Sequence, residues 1–388
     1  VPHPPNPPLH ASFQFAGPKT YWQRGDPNKI TCAGAIQAAA LAFGGRWLVG
    51  SVNGGIWRTD NMTDAVPKWT SALDGQPVTC ASIAALHVSA GNRKRIWAGC
   101  GGSTSSEQGS DWNVVNSGDW GGVMTSGDNG DSWSMVPGFP PNYYVTDILE
   151  LSDQGHPDHP RLLVSAQSHL FNADTGGIWL SDDGGASFRA VSNKATFTLL
   201  QAGGSLLVAT HARLPQASVS ISADGGSSWS DMDSAGLSWG TGMTPFYTCS
   251  ALMSDGHTVV VAGLTVSDKN ASKTDSAIFV SSSSSSNNNN SSSSNGKWIA
   301  LPQPTSMDED SMPKDRMALL GDPQQHDLLY VAGNAGAFAW RVNITTGVWT
   351  KLWDGDVSDG SIGHGDCRNY AWQYPDEGGG NTVGEGGG

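Results

Sequence analysis

No stretch of this chain approaches the roughly 20 consecutive apolar residues that a membrane-spanning helix needs, so no helical membrane span is expected. Charge is sparse too: Asp, Glu, Lys and Arg make up 14% of the 388 residues. Bases are the scarcer kind, 21 against 35 acids, and the formal net charge is −14. Such a surface repels a polyanion, which argues against nucleic acid as a partner. The opening VPHPPNPPLH lacks an initiator Met, a basic segment and an apolar segment, so a processed, mature N-terminus is expected. Cysteine is scarce and odd in number: Cys32, Cys80, Cys100, Cys249 and Cys367. No C-x-x-C spacing suggests zinc, and no metal or other cofactor is expected.

What is abundant is glycine, at 50 residues, and tryptophan, at 16, a composition that favours a turn-rich β protein. Short apolar segments recur at Cys32, Cys80, Thr146, Phe197, Cys249, Arg316 and Cys367, a unit of about 50 residues. Each segment is followed by a second apolar run, such as RWLVGS, RIWAGC, RLLVSA or SLLVAT. A third run follows a variable loop: GGIWRT at 54–59, GGVMTS at 121–126 and GGIWLS at 176–181. A fourth strand closes the unit. Runs of five to eight residues with no helical period read as strands. Four short strands per unit predict an all-β protein, a β-propeller of seven four-stranded blades. The expected organisation is a Pro-rich segment over 1–29 and the propeller over 30–388, as six full blades and a partial seventh, with a low-complexity loop at 281–295. Residues 11–25 are a candidate for closing the ring.

Between the third and fourth strands the chain repeats one phrase: SGDNGDSW, SDDGGASF and SADGGSSW. An EF-hand loop would need a D-x-D-x-D-G run, a Glu at its twelfth position and flanking helices. Those are missing, so the acids are read as turn formers. Ser and Asp side chains bond to backbone N–H groups, glycine takes the unusual dihedral, and the aromatic packs on the sheet. The three segments resemble the Asp-box (BNR) repeat of sialidases, sortilin-type receptors and xyloglucanase-type hydrolases. The first match is Ser126, Asp128, Gly130, Ser132 and Trp133, the second Ser181, Asp183, Gly185, Ser187 and Phe188. The third is Ser222, Asp224, Gly226, Ser228 and Trp229. The remaining units, such as RTDNMTDAVPKW at 58–69, are degenerate.

The resemblance implies a propeller without choosing a function, because the family spans enzymes, receptors and assembly factors. The sialidase pattern of an Arg-Ile-Pro segment, an arginine triad and a paired Tyr and Glu is not matched here. In xyloglucanase-type enzymes a catalytic Asp precedes a Gly-Gly-aromatic strand. The matching position in SVNGGIWRTD is Asn53, an amide that cannot serve as general base, and the family's second carboxylate lies in a second propeller. Glycoside hydrolysis normally wants two carboxyl groups facing one cleft.

Recognition is therefore expected on the loops between second and third strands, opposite the Asp-containing turns. The longest spans 101–122 and carries Trp112 and Trp120 with Asp111 beside Trp112. Aromatics of this kind stack on sugar faces, although they also serve to cover gaps between blades. His169 and His211 head two further loops, and Asp147, Asp366 and Arg368 stand near starts of first strands. Cys80 and Cys100 share one unit and are a candidate disulfide; the other cysteines suit small buried positions. Sequons at Asn61, Asn270, Asn289, Asn290 and Asn343 are glycan acceptors if the chain is secreted. The expectation is an extracellular or cell-surface propeller that binds carbohydrate or an extracellular protein, with self-assembly possible in such settings. The rival is a glycoside hydrolase with an unrecognised site.

Overall fold

Apolar residues that alternate with small or polar ones in runs of five to seven residues can bury one face only by pairing into sheets. In the computed structural model they do so as stacked blades. The structure describes residues 21–22, 31–32, 36–51, 54–64, 66–78, 80, 82–101, 121–140, 143–151, 159–168, 176–203, 206–211, 219–231, 237, 243–267, 270–281, 298–302, 318–333 and 338–354.

A two-stranded sheet, β1 (Tyr21–Trp22) with β2 (Thr31–Cys32), stands apart from the blades. Blade 1 comprises β3 (Ile36–Leu41), β4 (Trp47–Ser51), β5 (Gly55–Thr59) and β6 (Thr70–Ser71). Blade 2 comprises β7 (Ile83–Val88), β8 (Ile96–Cys100), β9 (Gly122–Ser126) and β10 (Ser134–Met135). Blade 3 comprises β11 (Tyr143–Glu150), β12 (Leu162–Ser168), β13 (Gly176–Ser181) and β14 (Arg189–Ser192). Blade 4 comprises β15 (Thr196–Ala202), β16 (Leu206–His211), β17 (Val219–Ser222) and β18 (Ser230–Asp231). Blade 5 comprises β19 (Met243–Leu252), β20 (Val259–Ser267), β21 (Asn270–Ser281) and β22 (Trp298–Ala300). Blade 6 comprises β23 (Ala318–Gly321), β24 (Leu328–Gly333), β25 (Phe338–Asn343) and β26 (Val348–Asp354).

Each blade is an antiparallel sheet in chain order, and the first strands pack side by side in sequence: β3, β7, β11, β15, β19, β23. This is a β-propeller with four-stranded blades. The number of blades is corrected: six are present among the described residues, not seven. The expected seventh unit rests on Cys367 and its neighbours, which lie outside the described residues. Among the described residues the N-terminal strands β1 and β2 pair with each other and with no blade.

Blades seat on each other through small residues of the second strand. At Gly99 an added Cβ would lie 2.4 Å from Val145 Cγ1, on the first strand of the next blade. The cores between neighbouring blades are continuous and apolar, as where Ala85, Val123, Val145, Leu162 and Val164 are all fully or nearly fully buried.

The three Ser-x-Asp-x-Gly-x-Ser-aromatic segments are turns between third and fourth strands. The Ser126 hydroxyl donates to Asp128 Oδ1 at 2.8 Å and accepts from Gly130 N at 2.8 Å. The Asp128 carboxylate accepts from Ser132 N at 2.8 Å and Ser132 Oγ at 2.5 Å. The second and third turns repeat these bonds around Asp183 and Asp224. At Asp224 the Ser228 hydroxyl and amide hold the carboxyl down to about 2. Gly130 takes a φ of +82°, and a Cβ there would lie 2.8 Å from Leu48 of blade 1, so both dihedral and packing demand glycine. Replacing Asp128, Asp183 or Asp224 with Ala should lower stability by about 1–2 kcal/mol, the effect of stranding the turn's donors. Thermal or urea unfolding checks this, and melting that depends on calcium in the unaltered chain alone would show the turns to be metal loops instead.

Candidate functional site

Strand direction divides the molecule into two faces. The turns joining first to second and third to fourth strands share one face. The loops joining second to third strands, and one blade to the next, share the other. Of the candidate residues, Trp112, Trp120, Asp111, His169, Asp366 and Arg368 lie outside the described residues, as do Asn53, Asn289 and Asn290. Two candidates can be placed, Asp147 and His211, and the scaffold engages both.

Asp147 sits midway along β11, directly after a bulge between Val145 and Asp147. Equivalent bulges occur in β3, β7, β15 and β19, and Ala38, Ala85, Thr198 and Tyr247 hold the following position. Bulges re-aim side chains, and here the carboxylate is turned along the seam between blades. Its Oδ1 accepts from Ile148 N and its Oδ2 from Leu199 N of blade 4, both at 2.8 Å. Burial raises its carboxyl from 3.8 to about 7, against the pull of those two N–H groups. Beside it Thr146 Oγ1 donates to Thr196 O at 2.6 Å. Asp147 is thus a tie between blades 3 and 4.

Three residues further along the same strand, Glu150 reaches the opposite way, into blade 2. Its carboxylate accepts from Ser89 Oγ at 2.5 Å and from Trp97 Nε1 at 2.9 Å. Its backbone N–H donates to His87 Nε2 at 3.2 Å, so that nitrogen is unprotonated. Burial pushes His87 below its usual range, with Glu150 opposing the shift. The two acids of TDILE therefore serve two different seams and do not face one another across a cleft. Glu150 was not singled out by its sequence; the only signal is a second acid in an otherwise apolar strand.

His211 ends β16 as a strand residue, not as the head of a loop, and is 3% exposed. Its Nδ1 lies 3.0 Å from Thr196 Oγ1 and its Nε2 lies 2.7 Å from Ser220 Oγ. Ser220 donates to Asp231 Oδ1 at 2.9 Å, and Lys194 pairs with the same carboxylate. Burial, with Lys194 close by, lowers the imidazole from 6.5 to about 4. One residue from each strand of blade 4 thus joins a polar line across the sheet. The Ser–His contact looks like an activated nucleophile, but Ser220 is 1% exposed and the carboxylate orients the serine, not the ring. This is a structural network.

Other expectations find their places. Cys80 and Cys100 are disulfide-bonded, with Cα atoms 5.7 Å apart. Cys80 precedes β7, Cys32 lies in β2 and Cys249 is buried within β19, so these cysteines occupy different strand positions. The connection between the second and third strands of blade 5 is the end of a long hairpin in which β20 and β21 pair as far as Ser267 and Asn270. Asn61 occupies the staple position of the degenerate blade 1 turn. Its Oδ1 accepts from Thr59 Oγ1 at 2.6 Å and Lys68 N at 3.0 Å, and its Nδ2 donates to Asp64 at 2.6 Å. Asn343 is held likewise by Thr345 N, Thr346 N and Asp327. Among the described residues no three His, Cys, Asp or Glu side chains converge on a metal position, and no helix is long and apolar enough to cross a membrane.

No protein-family model matches the chain, and no curated protein matches it either. Solved structures do resemble it. A GH74 enzyme from Niastella koreensis superposes with a TM-score of 0.53 at 17% identity, over 82% of this chain and 45% of that one. The GH74 xyloglucanase of Xanthomonas campestris gives 0.51 at 17% identity, over 82% and 45%. Hydrazine synthase from Kuenenia stuttgartiensis gives 0.51 at 12% identity, over 84% and 80%. These likenesses establish the propeller fold and no more. The chain spans less than half the length of the two GH74 structures.

Proposed function

We propose that this chain is an Asp-box propeller that binds a carbohydrate or protein ligand through its loop face without transforming it, outside the cell or at its surface. The observation that carries this reading is the fate of the located acids. Asp147 and Glu150, the acids along the inner strand of blade 3, are both tied up in blade seams. A general acid and base would need open carboxyl groups across one cleft. The hydrogen bonding of the three Ser-Asp-Gly turns supports the Asp-box assignment, and the Cys80–Cys100 pair suits an oxidising compartment. On the same reading Asn61 and Asn343 are poor glycan acceptors, because their amides are engaged in turn hydrogen bonds.

The loop at 101–122 is the candidate reader, because recognition residues concentrate on loops held by a rigid scaffold. Trp112→Ala or Trp120→Ala should weaken ligand binding by about 1–3 kcal/mol, the range of an aromatic hot spot, with folding unchanged. A glycan array finds the ligand, and titration of both variants measures the loss. If both lose thermal stability instead, the tryptophans belong to the core. A reducing-sugar assay run beside the array should show no turnover of xyloglucan or β-glucan above a heat-killed control. Robust turnover by the unaltered chain would overturn the proposal in favour of a glycoside hydrolase, and activity gained by Asn53→Asp would mark a lost one.

A further inference from the structure

The charge balance of this acidic chain reverses at one place. Residues 91–95 read GNRKR and form the turn between β7 and β8, with Arg93 and Lys94 exposed. Against them stands the blade 1 turn Phe43–Gly44–Gly45. Phe43 is 52% exposed, and Lys94 Nζ lies 5.1 Å from its ring centroid. The two turns are fixed relative to each other. Phe43 N donates to Arg93 O at 3.3 Å, and the Asn129 carboxamide brackets Phe43, accepting from its N–H and donating to its carbonyl, both at 3.1 Å.

The acids of this rim already have partners. Asp60 pairs with Arg46, Asp131 with Arg46 and Arg58, and Asp128 staples its own turn. Among the described residues, no carboxylate forms an ion pair with Arg93 or Lys94; Arg93 Nη2 makes only long contacts, 3.4 Å, to the Leu41 and Ala42 carbonyls. Gly44 and Gly45 have nothing within 4 Å of where a Cβ would stand, so the floor beside the phenyl ring is open.

We propose that this rim of blades 1 and 2 is a second binding site, for a short stretch of an anionic polysaccharide. Sugar carboxylates or sulfates pair with Arg93 and Lys94, and a sugar face covers the free part of the Phe43 ring. A cation beside an aromatic ring and an open glycine floor suits a flat, charged, hydroxyl-rich chain. A protein partner is less well matched, because a protein interface needs a desolvated cluster of apolar anchors. Among the described residues the large exposed apolar side chains on blades 1 and 2 are Phe43 and Val66, in two separate turns of blade 1, with Ile299 and Val348 on blades 5 and 6, so there is no such cluster. The overall negative charge does not forbid a short ligand, since acids beyond about 10 Å are screened at 0.1 M salt. The site lies on the turn face, opposite the loops discussed above, and does not depend on that reading.

The test is calorimetric titration of the full chain with a galacturonate hexamer at low salt. Cellohexaose, hexaglutamate and hexathymidylate serve as the neutral, peptide and nucleic-acid arms. The uronate hexamer should bind, at least tenfold more weakly to Arg93→Gln/Lys94→Gln and a few-fold more weakly to Phe43→Leu, which keeps the charges. Lys94→Arg should retain binding. Absence of uronate binding, or binding indifferent to both Phe43→Leu and the double variant, overturns the proposal. Equal or tighter binding of hexaglutamate or hexathymidylate overturns the assignment to a sugar.

Discussion

Between pH 4 and 7 Asp147 and His211 are expected to contribute to stability with opposite pH dependence, and single variants at the two positions should tilt the profile in opposite directions relative to the unaltered chain. Asp147 is raised from 3.8 to about 7 on folding. The folded chain keeps a proton there that the unfolded chain releases, so its stabilisation is complete below pH 4 and is lost as pH rises through 7. His211 is lowered from 6.5 to about 4. There the unfolded chain takes the proton first, so stability is complete above pH 6.5 and is lost as pH falls toward 4. At about 1.4 kcal/mol per unit each, the two contributions oppose one another almost evenly across this window. Asp147→Asn removes the first, and stability relative to the unaltered chain should then climb by about 3–4 kcal/mol from pH 4 to 7. His211→Gln removes the second, and stability relative to the unaltered chain should fall by about 3 kcal/mol over the same range. Urea unfolding at half-unit intervals measures both. Profiles parallel to that of the unaltered chain in both variants would mean that neither group changes its protonation equilibrium on folding.

Breaking the Cys80–Cys100 bridge should lower stability by about 3 kcal/mol, the chain-entropy value for a loop closed over a sequence separation of 20 residues. The bridge joins the segment entering β7 to the last residue of β8, directly before the loop at 101–122. Its loss should therefore loosen the base of that loop, and ligand binding that depends on Trp112 or Trp120 should weaken along with stability. Cys249 offers no substitute partner, since burial pushes its thiol up to about 12 and leaves it without a reactive thiolate. Unfolding midpoints with and without reductant, and in Cys80→Ser/Cys100→Ser, measure the effect. An unchanged midpoint under full reduction would show that the bridge contributes nothing.

What the sequence reveals and what it conceals follow from the range of the contacts involved. The turn at Ser126–Trp133 is legible because its donors and acceptors are no more than four residues apart. Strand runs such as RLLVSA and GGIWLS are legible for the same local reason, since period and turn chemistry are written in neighbouring residues. Asp147 was readable as an acid on a first strand, yet its destination was not, because the N–H it accepts from belongs to Leu199, 52 residues away. His211 looked like the head of a binding loop. Its partners Thr196, Ser220 and Asp231 come from three other strands of the blade, and only pairing register sets them in one line. By itself, then, the sequence determined the four-stranded unit, its turns and the all-β class, since those depend on bonds within a unit. The tertiary structure decided that the described residues form six blades, and that Asp147, Glu150 and His211 serve the scaffold. Those outcomes depend on which strand lies against which, across seams where contacting residues are about a full repeat apart.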